Sequence, residues 1–303
     1  MMRVTKLLSI ATVAAVIGSC AVSCSAQAWA KATLDKSPRH GEYTTITEAN
    51  GRKLQAWVVY PEVKDKAPVV VMIHEIFGQS DWAREMADEL AAAGYIVVEP
   101  DLLSGFGPAA TAAPASPAAP MDHDHMGQSG AGAAMIPALP GGTAAFPDQS
   151  SVVKAVSSLP DAQVLSDLDA AADYGKKLPA ADGKLYVAGF CWGGGKSFLF
   201  ATHRADLSAA FVFYGPPPPA DAMKNITAPV YGFYAGNDAR ISATIPQTQA
   251  DMKAAGKTYD PVTYDGAGHG FMRAGEAPDA NAPNSAARAQ GFRRLVTLLG
   301  GVR

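Results

Sequence analysis

The stretch Ala67–Ile73 constrains the fold of this chain more than any other feature, because each of its residues is apolar. A strand without polar positions must be covered on both faces, which is typical of a parallel strand in the middle of a sheet flanked by helices. Ser80 or Asp81 can cap a helix that follows, and Gly94 can end it. The local pattern therefore predicts a strand–helix unit of an α/β protein.

This alternation of strand and helix extends over most of the chain. Two runs of alternating β-branched and aromatic residues, 42–48 and 53–60, are joined through Asn50-Gly51, which is a strong hairpin signal. Further candidate elements follow in turn: strands at 95–98, 184–188, 209–214, 230–234 and 261–264, and helices at 164–178, 246–255 and 292–299. This order predicts one α/β domain with a mostly parallel central sheet and helices on both of its faces.

One segment breaks the pattern. From about residue 104 to residue 147 the chain is dominated by Ala, Pro and Gly without periodicity, and we expect an exposed, mobile insertion. His123 and His125 within it are residue types that bind copper or zinc. A polar tip on a spacer is the favoured interpretation, because a structureless loop has no neighbouring groups to orient metal ligands. We therefore predict no metal site.

The first residues are typical of a secretory signal peptide. Arg3 and Lys6 precede an apolar stretch, and small residues mark cleavage sites near Ala28 or Ala30. We expect a leader at 1–30, a single domain at 31–303 and an exported protein, periplasmic or secreted. Cys20 also lies in a sequence that resembles a lipoprotein cleavage box, so a lipid anchor is an alternative.

Charge and hydropathy exclude two classes of partner. The 25 Lys and Arg residues against 28 Asp and Glu residues give a net charge of −3, and no basic patch indicates nucleic acid binding. No segment after the leader offers the roughly 20 apolar residues that a transmembrane helix needs. We expect a monomer that acts on a small molecule.

The segment Gly189–Gly194 predicts a nucleophile elbow with Cys191 at its tip. A strand that turns sharply into a helix exposes one side chain at the carboxyl edge of the sheet. Backbone N–H groups at the helix start face an oxyanion formed there, and the helix dipole favours a thiolate. A small buried hydrophobe is the alternative for a lone cysteine. Once the leader is removed, Cys191 is the single cysteine, so it has no disulfide partner.

Candidate partners for the thiol follow two later strands. Asp238 and His269 each lie in a turn after an apolar strand, and the chain order of nucleophile, acid and histidine is the order in α/β-hydrolases. Asp265 is a weaker candidate for the acid, and His74 is the other candidate base. The loop after the central strand supplies the second oxyanion donor in that fold. The backbone N–H groups of Ile76 and Trp192 are therefore the predicted oxyanion hole.

Several of these motifs together resemble the dienelactone hydrolase family, the cysteine branch of the α/β-hydrolases. The resemblance runs from about Tyr43 to the C-terminus, interrupted by the Ala/Pro-rich insertion. The segments that carry it are 74–78, 99–102, 189–194, 214–215, 237–238 and 268–273.

The resemblance implies a Cys191–His269–Asp238 triad and further site residues. It places Glu75 beside the thiol, where a buried carboxylate disfavours a second negative charge until substrate arrives. It also implies that Arg273 pairs with Glu75 or with a substrate carboxylate, and that Tyr214 contacts substrate. The second substrate-binding arginine of the family, expected shortly after residue 102, is missing from this sequence.

The predicted activity is hydrolysis of an ester or lactone through an acyl-thioenzyme, without a cofactor. A thioesterase or acyl transferase using the same triad is one alternative. A secreted binding protein without turnover, carrying metal through His123 and His125, is another. A redox role for Cys191 is disfavoured, because no second cysteine remains after the leader to resolve a sulfenate.

Overall fold

The computed structural model describes residues 27–107 and 141–301. The apolar run at 67–73 forms the strand β3 (Ala67–Ile73), in which every residue is buried. It pairs in parallel with β4 (Ile96–Pro100) on one side and with β5 (Ala181–Phe190) on the other. The expectation that this run is covered on both faces is confirmed.

Eight strands form one sheet in the order β1-β2-β4-β3-β5-β6-β7-β8. The strands not yet named are β1 (Gly41–Thr47), β2 (Lys53–Val59), β6 (Ala209–Phe213), β7 (Val230–Ala235) and β8 (Tyr259–Tyr264). β2 is antiparallel to both of its neighbours, and all other pairs are parallel. The carboxyl ends of β3 to β8 therefore lie at one edge of the sheet.

Helices cover both faces of the sheet, as predicted. In the described part of the chain they are α1 (Ala28–Leu34), α2 (Asp81–Ala92), α3 (Gln149–Ser157), α4 (Asp161–Lys177), α5 (Trp192–His203), α6 (Ala239–Ser242), α7 (Ile245–Ala254), α8 (Phe271–Ala274) and α9 (Ala282–Gly301). Apolar residues of α3, α4, α5 and α7 pack against one face, and those of α1, α2 and α9 pack against the other. Ser80 caps α2 by accepting a hydrogen bond from the Ala83 N–H, as expected from its sequence position.

Ser104 and Gly142 tie the two ends of the predicted insertion to the domain, whereas residues 105–107 are exposed. Ser104 is buried, and its hydroxyl accepts from the Gln55 N–H and donates to the Asp101 carbonyl. On the return, the Gly142 N–H donates to the carbonyl oxygens of residues 103 and 106. The points at which the chain leaves and rejoins the domain are therefore hydrogen-bonded to each other. Residues 108–140, with His123 and His125, lie outside the described residues.

The predicted leader is described from Gln27 onward, whereas residues 1–26, with Cys20, lie outside the described range. Ala30 is buried and Trp29 packs against the core on the α2 side of the sheet. The side-chain oxygen of Gln27 accepts a hydrogen bond from the Trp82 N–H in the first turn of α2. Cleavage after Ala30 would remove these contacts. In the described residues, every helix is too short or too polar to cross a bilayer.

Candidate active site

The turn between β5 and α5 holds Cys191 in a backbone conformation that non-glycine residues rarely adopt. Its φ is 56° and its ψ is −116°, a strained geometry of the kind that costs about 1–3 kcal/mol and concentrates at functional sites. The sharp turn requires glycine on either side of the cysteine. A Cβ at Gly189 would collide with the Gly193 carbonyl oxygen, and a Cβ at Gly193 would lie 2.5 Å from the Ile73 carbonyl oxygen.

The structure brings the predicted nucleophile, base and acid together. The Cys191 Sγ lies 3.0 Å from the His269 Nε2, and the His269 Nδ1 lies 2.5 Å from the Asp238 Oδ2. Because the carboxylate accepts the Nδ1 proton, Nε2 is left free to accept the thiol proton. These residues follow β5, β7 and β8, whose parallel arrangement places their carboxyl ends at one edge.

The rival residues lie elsewhere. The His269 imidazole pairs with Asp238 and not with Asp265. His74 is completely buried, donates from Nδ1 to the Glu75 carbonyl oxygen at 2.7 Å, and stacks on the Trp192 ring. Burial lowers the pKa of His74 and so favours the neutral ring. The ring stabilises the loop after β3 through its hydrogen bond to the Glu75 carbonyl oxygen.

Glu75 lies buried at the site and is held from two sides. Its Oε2 accepts a hydrogen bond from the Arg273 Nε at 2.7 Å, and its Oε1 accepts from the Tyr214 hydroxyl at 3.3 Å. Burial raises the pKa of Glu75, and the Arg273 guanidinium acts in the opposite direction. Burial disfavours the Arg273 cation in turn, but the Glu75 carboxylate outweighs this effect and the pKa of Arg273 is raised.

Arg273 and Tyr214, the two residues predicted to bind substrate, both donate hydrogen bonds to Glu75. Tyr214 is completely buried, with a φ of 39°, and its hydroxyl meets the Glu75 carboxylate. The substrate contact of Tyr214 stays a prediction. Of the two expected partners of Arg273, the structure shows the glutamate.

The environment of Cys191 favours the protonated thiol. Burial is the largest cause that raises the pKa of Cys191 to about 11, and the charge of Glu75 is the second. The backbone N–H groups of Trp192 and Ile76 hydrogen-bond the sulfur and lower its pKa. The N–H groups at the helix start act in the predicted direction, towards the thiolate, but desolvation and the Glu75 carboxylate outweigh them, and the carboxylate opposes the thiolate as the family resemblance implies.

The same two N–H groups define where an oxyanion would sit. Both are directed at the sulfur, so a carbonyl carbon bonded to that sulfur would carry its oxygen close to them. The Ile76 N–H comes from the loop after β3 and the Trp192 N–H from the first residue of α5. The arrangement can therefore combine a nucleophile, a proton acceptor and charge stabilisation at one carbonyl group.

Sequence reasoning missed a further charged residue near the thiol. Arg240 is exposed, lies on α6 two residues after Asp238, and lowers the pKa of Cys191 through its charge. No sequence motif includes Arg240. Its position two residues after Asp238 was the one feature of the sequence that could have indicated it.

One cluster of carboxylates in the described residues has the spacing of a metal site. Oxygens of Glu85, Glu89 and Glu276 lie within 4.8 Å of one another. The Arg288 guanidinium contacts both Glu89 and Glu276, so a protein cation already balances part of their charge. This cluster is separate from the Cys191 thiol and its partners.

The chain is similar in sequence and in structure to known proteins. The sequence profile of the dienelactone hydrolase family matches residues 54–302. A Methylorubrum extorquens protein named "putative carboxymethylenebutenolidase" is 30% identical over 258 residues, which cover 77% of each protein. The crystal structure of a "putative dienelactone hydrolase" from Klebsiella pneumoniae superposes with a TM-score of 0.66 at 26% identity, covering 86% of this chain and 97% of that one.

A more distant structure shares the fold alone. Dienelactone hydrolase from Anabaena variabilis has a TM-score of 0.55 and 17% identity over 83% of this chain and 95% of that one. The eight-stranded sheet, the strained strand-to-helix turn and these structural neighbours define an α/β-hydrolase. Within that class, the profile match over residues 54–302 shows that the chain belongs to the dienelactone hydrolase family. It is a hydrolase that acts on carboxylic ester or lactone bonds.

Proposed function

We propose that Cys191, His269 and Asp238 form a catalytic triad that hydrolyses a small-molecule ester or lactone through an acyl-thioenzyme. The observation that carries this proposal is the position of the His269 imidazole, 3.0 Å from the thiol sulfur and 2.5 Å from the Asp238 carboxylate. The name of the Methylorubrum relative supports a lactone as one substrate class.

In the first half-reaction the thiol proton moves to the His269 Nε2 as sulfur attacks the carbonyl carbon. The carbonyl π electrons move to oxygen, and the N–H groups of Ile76 and Trp192 stabilise the resulting oxyanion. When the carbonyl re-forms, the carbon–oxygen ester bond breaks and the imidazolium gives its proton to the leaving oxygen. In a lactone this oxygen stays attached to the acyl group.

In the second half-reaction His269 takes a proton from water, whose oxygen attacks the thioester carbon. The carbon–sulfur bond then breaks, sulfur recovers the proton, and the carboxylic acid leaves. Asp238 holds the imidazole in one tautomer and stabilises the imidazolium of both steps. The sequence consumes one water per bond cleaved and needs no other reactant.

The raised thiol pKa fits this order of events. With a pKa of about 11, roughly one thiol in ten thousand is ionised at pH 7. Proton transfer to His269 therefore accompanies attack on substrate. Glu75 maintains this state, since its buried charge opposes a second anion nearby.

A direct test uses p-nitrophenyl acetate and an aryl lactone with wild type, Cys191→Ala and His269→Ala. Both variants should lose at least about a thousandfold in kcat/KM, and mass spectrometry should find one acetyl group on the Cys191 peptide of wild type. His40→Ala is a matched control, because His40 is largely exposed and its side chain contacts Glu42 and Tyr60 on the surface, away from the thiol. Wild-type hydrolysis by Cys191→Ala would refute the proposal. A thioester and an amine acceptor in the same assay separate thioesterase and acyl-transferase activities.

We also propose that the chain is exported and that its leader is cleaved before Gln27. This position keeps α1 and the Gln27 contact with α2, whereas the sites near Ala28 and Ala30 would remove all or part of that packing. N-terminal sequencing of protein from a periplasmic fraction tests the proposal. A mature chain that begins at residue 31 would contradict the cleavage position, and an uncleaved cytoplasmic chain would contradict export.

A further inference from the structure

The loop between β3 and α2 carries both the Ile76 N–H and Glu75, so its position decides the shape of the proposed oxyanion hole. Within the loop, the Gly78 N–H donates to the Glu75 carbonyl oxygen at 3.1 Å, and Gly78 has a φ of 70°. The Ser80 N–H also donates to the Gly78 carbonyl oxygen at 2.9 Å. Both bonds close short turns within the loop, so contacts from outside help to fix the loop on the sheet.

Thr143 supplies such a contact from the far end of the 104–147 segment. Its Oγ1 accepts a hydrogen bond from the Gln79 N–H at 3.0 Å and donates to the Asp101 Oδ1 at 2.8 Å. The Thr143 N–H donates to the Asp101 Oδ2 at 2.7 Å. Thr143 therefore joins the end of the loop to the carboxylate that follows β4.

The packing around this link leaves no spare room. A Cβ at Gly78 would collide with the Thr143 hydroxyl and lie 2.8 Å from its methyl carbon. A second anchor reinforces the link, since the side-chain amide of Gln79 donates to the Glu99 carbonyl oxygen at 2.9 Å. The C-terminal side of the loop is thus fixed to β4, while Arg273 and Tyr214 fix Glu75 on the opposite side.

We propose that Thr143 is a positioning residue, which holds the β3–α2 loop so that the Ile76 N–H points at the developing oxyanion. The inference rests on the proposed function, because it assigns Thr143 to the oxyanion hole of that reaction. The threonine acts through the Gln79 N–H and the loop backbone. Loss of its hydroxyl should therefore weaken stabilisation of the oxyanion more than it weakens substrate binding or thiol reactivity.

The test compares Thr143→Val, which keeps the shape without the hydroxyl, with Thr143→Ser, which keeps the hydroxyl. With p-nitrophenyl acetate we expect Thr143→Val to lower kcat about tenfold, less than the hundredfold or more for loss of an oxyanion donor. KM should stay within about twofold, and Thr143→Ser should retain kcat within about threefold. Thr248→Val is the control, since it removes a buried hydroxyl that donates to the carbonyl oxygen of Thr244, the residue that precedes α7.

Alkylation of Cys191 by iodoacetamide supplies the second readout, because displacement of iodide forms no oxyanion. We expect alkylation of Thr143→Val to fall much less than hydrolysis, with the rising limb of its pH profile moved slightly to higher pH, because the displaced Ile76 N–H also lowers the thiol pKa. Equal falls in alkylation and hydrolysis would show general damage to the site and overturn the inference. An unchanged kcat for Thr143→Val would overturn it as well.

Asp101→Asn provides an independent route if Thr143→Val does not fold. It removes the charge that receives both Thr143 donors, so kcat should fall by a similar factor. The kcat of the double variant should be little lower than that of either single variant, because both changes break the same link between Thr143 and Asp101. Losses in kcat that multiply fully would contradict this. Wild-type hydrolysis by Cys191→Ala defeats the proposed function itself, whereas inactive Cys191→Ala beside fully active Thr143→Val defeats the inference alone.

Discussion

Replacing Glu75 by Gln tests how the protein controls its thiol. The amide oxygen can still accept the hydrogen bond that the Arg273 Nε now gives to the carboxylate, so the main change is the loss of one buried negative charge. Because that charge raises the pKa of Cys191, its removal should lower the pKa and increase the fraction of thiolate at neutral pH.

The size of the effect follows from the two causes of the raised pKa. A rise from 9.0 to about 11 reduces the thiolate fraction at neutral pH roughly a hundredfold. Burial is the larger cause and Glu75 the second, so removal of the charge should raise the thiolate fraction by about tenfold at most. A less basic thiolate is also a weaker nucleophile, by about threefold for this change. Alkylation at pH 7 should therefore be up to about threefold faster.

The assay is the second-order rate constant for iodoacetamide, read on the Cys191 peptide by mass spectrometry between pH 6 and 10. The rising limb of the profile should move to lower pH in Glu75→Gln. Glu62→Gln serves as the matched control, because Glu62 is exposed and outside the site. A folded Glu75→Gln protein whose rate at pH 7 equals or falls below that of wild type would refute the assignment of the charge.

Three further outcomes are expected. Gly189→Ala should yield no soluble, active protein, because the added Cβ collides with the Gly193 carbonyl oxygen. Expression and circular dichroism measure this. The control is Gly300→Ala, whose Cβ meets nothing within 4 Å and whose free energy of unfolding should rise by up to about 1 kcal/mol. Burial raises the pKa of Glu85 to about 9, so the folded state binds that proton more tightly than the unfolded state, and stability falls as pH rises from about 5 to about 9. Glu85→Gln should raise the free energy of unfolding by about 2 kcal/mol at pH 8 and by much less at pH 5 in urea titrations; an equal effect at both pH values would contradict the linkage. Replacing residues 108–140 by a short Gly-Ser linker should leave the Tm within a few degrees and ester hydrolysis within about threefold, and a collapse of either would show that the segment supports the core.

The parts of the fold that could be predicted are those written in local patterns. The apolar residues of β3 and the cap at Ser80 define their elements without reference to distant residues, and the structure confirms both. The helix α3 was missed, although Asp148 accepts from the Ser151 N–H as its cap. The Ala/Pro/Gly-rich stretch immediately before it masked that local signal.

The candidate site divides in the same way. Cys191, Asp238 and His269 could be found because turns after successive parallel strands meet at one edge of a sheet. Thr143 could not be found, because its partner Gln79 lies 64 residues away and no motif links the two. The opposing effects of the helix start and of Glu75 on the thiol pKa could be predicted from the sequence and the family resemblance, whereas the desolvation of one sulfur depends on the complete packing around it.

The protonated state of Cys191 also bears on how long the enzyme survives. Peroxide and disulfide compounds attack the thiolate, and the neutral thiol reacts with them slowly. With a pKa of about 11, the free protein presents very little of the vulnerable form, and in the proposed mechanism nucleophilic sulfur is generated only while a carbonyl group occupies the site. In that mechanism the burial of the thiol, reinforced by the Glu75 carboxylate, would limit oxidative damage to Cys191 between turnovers.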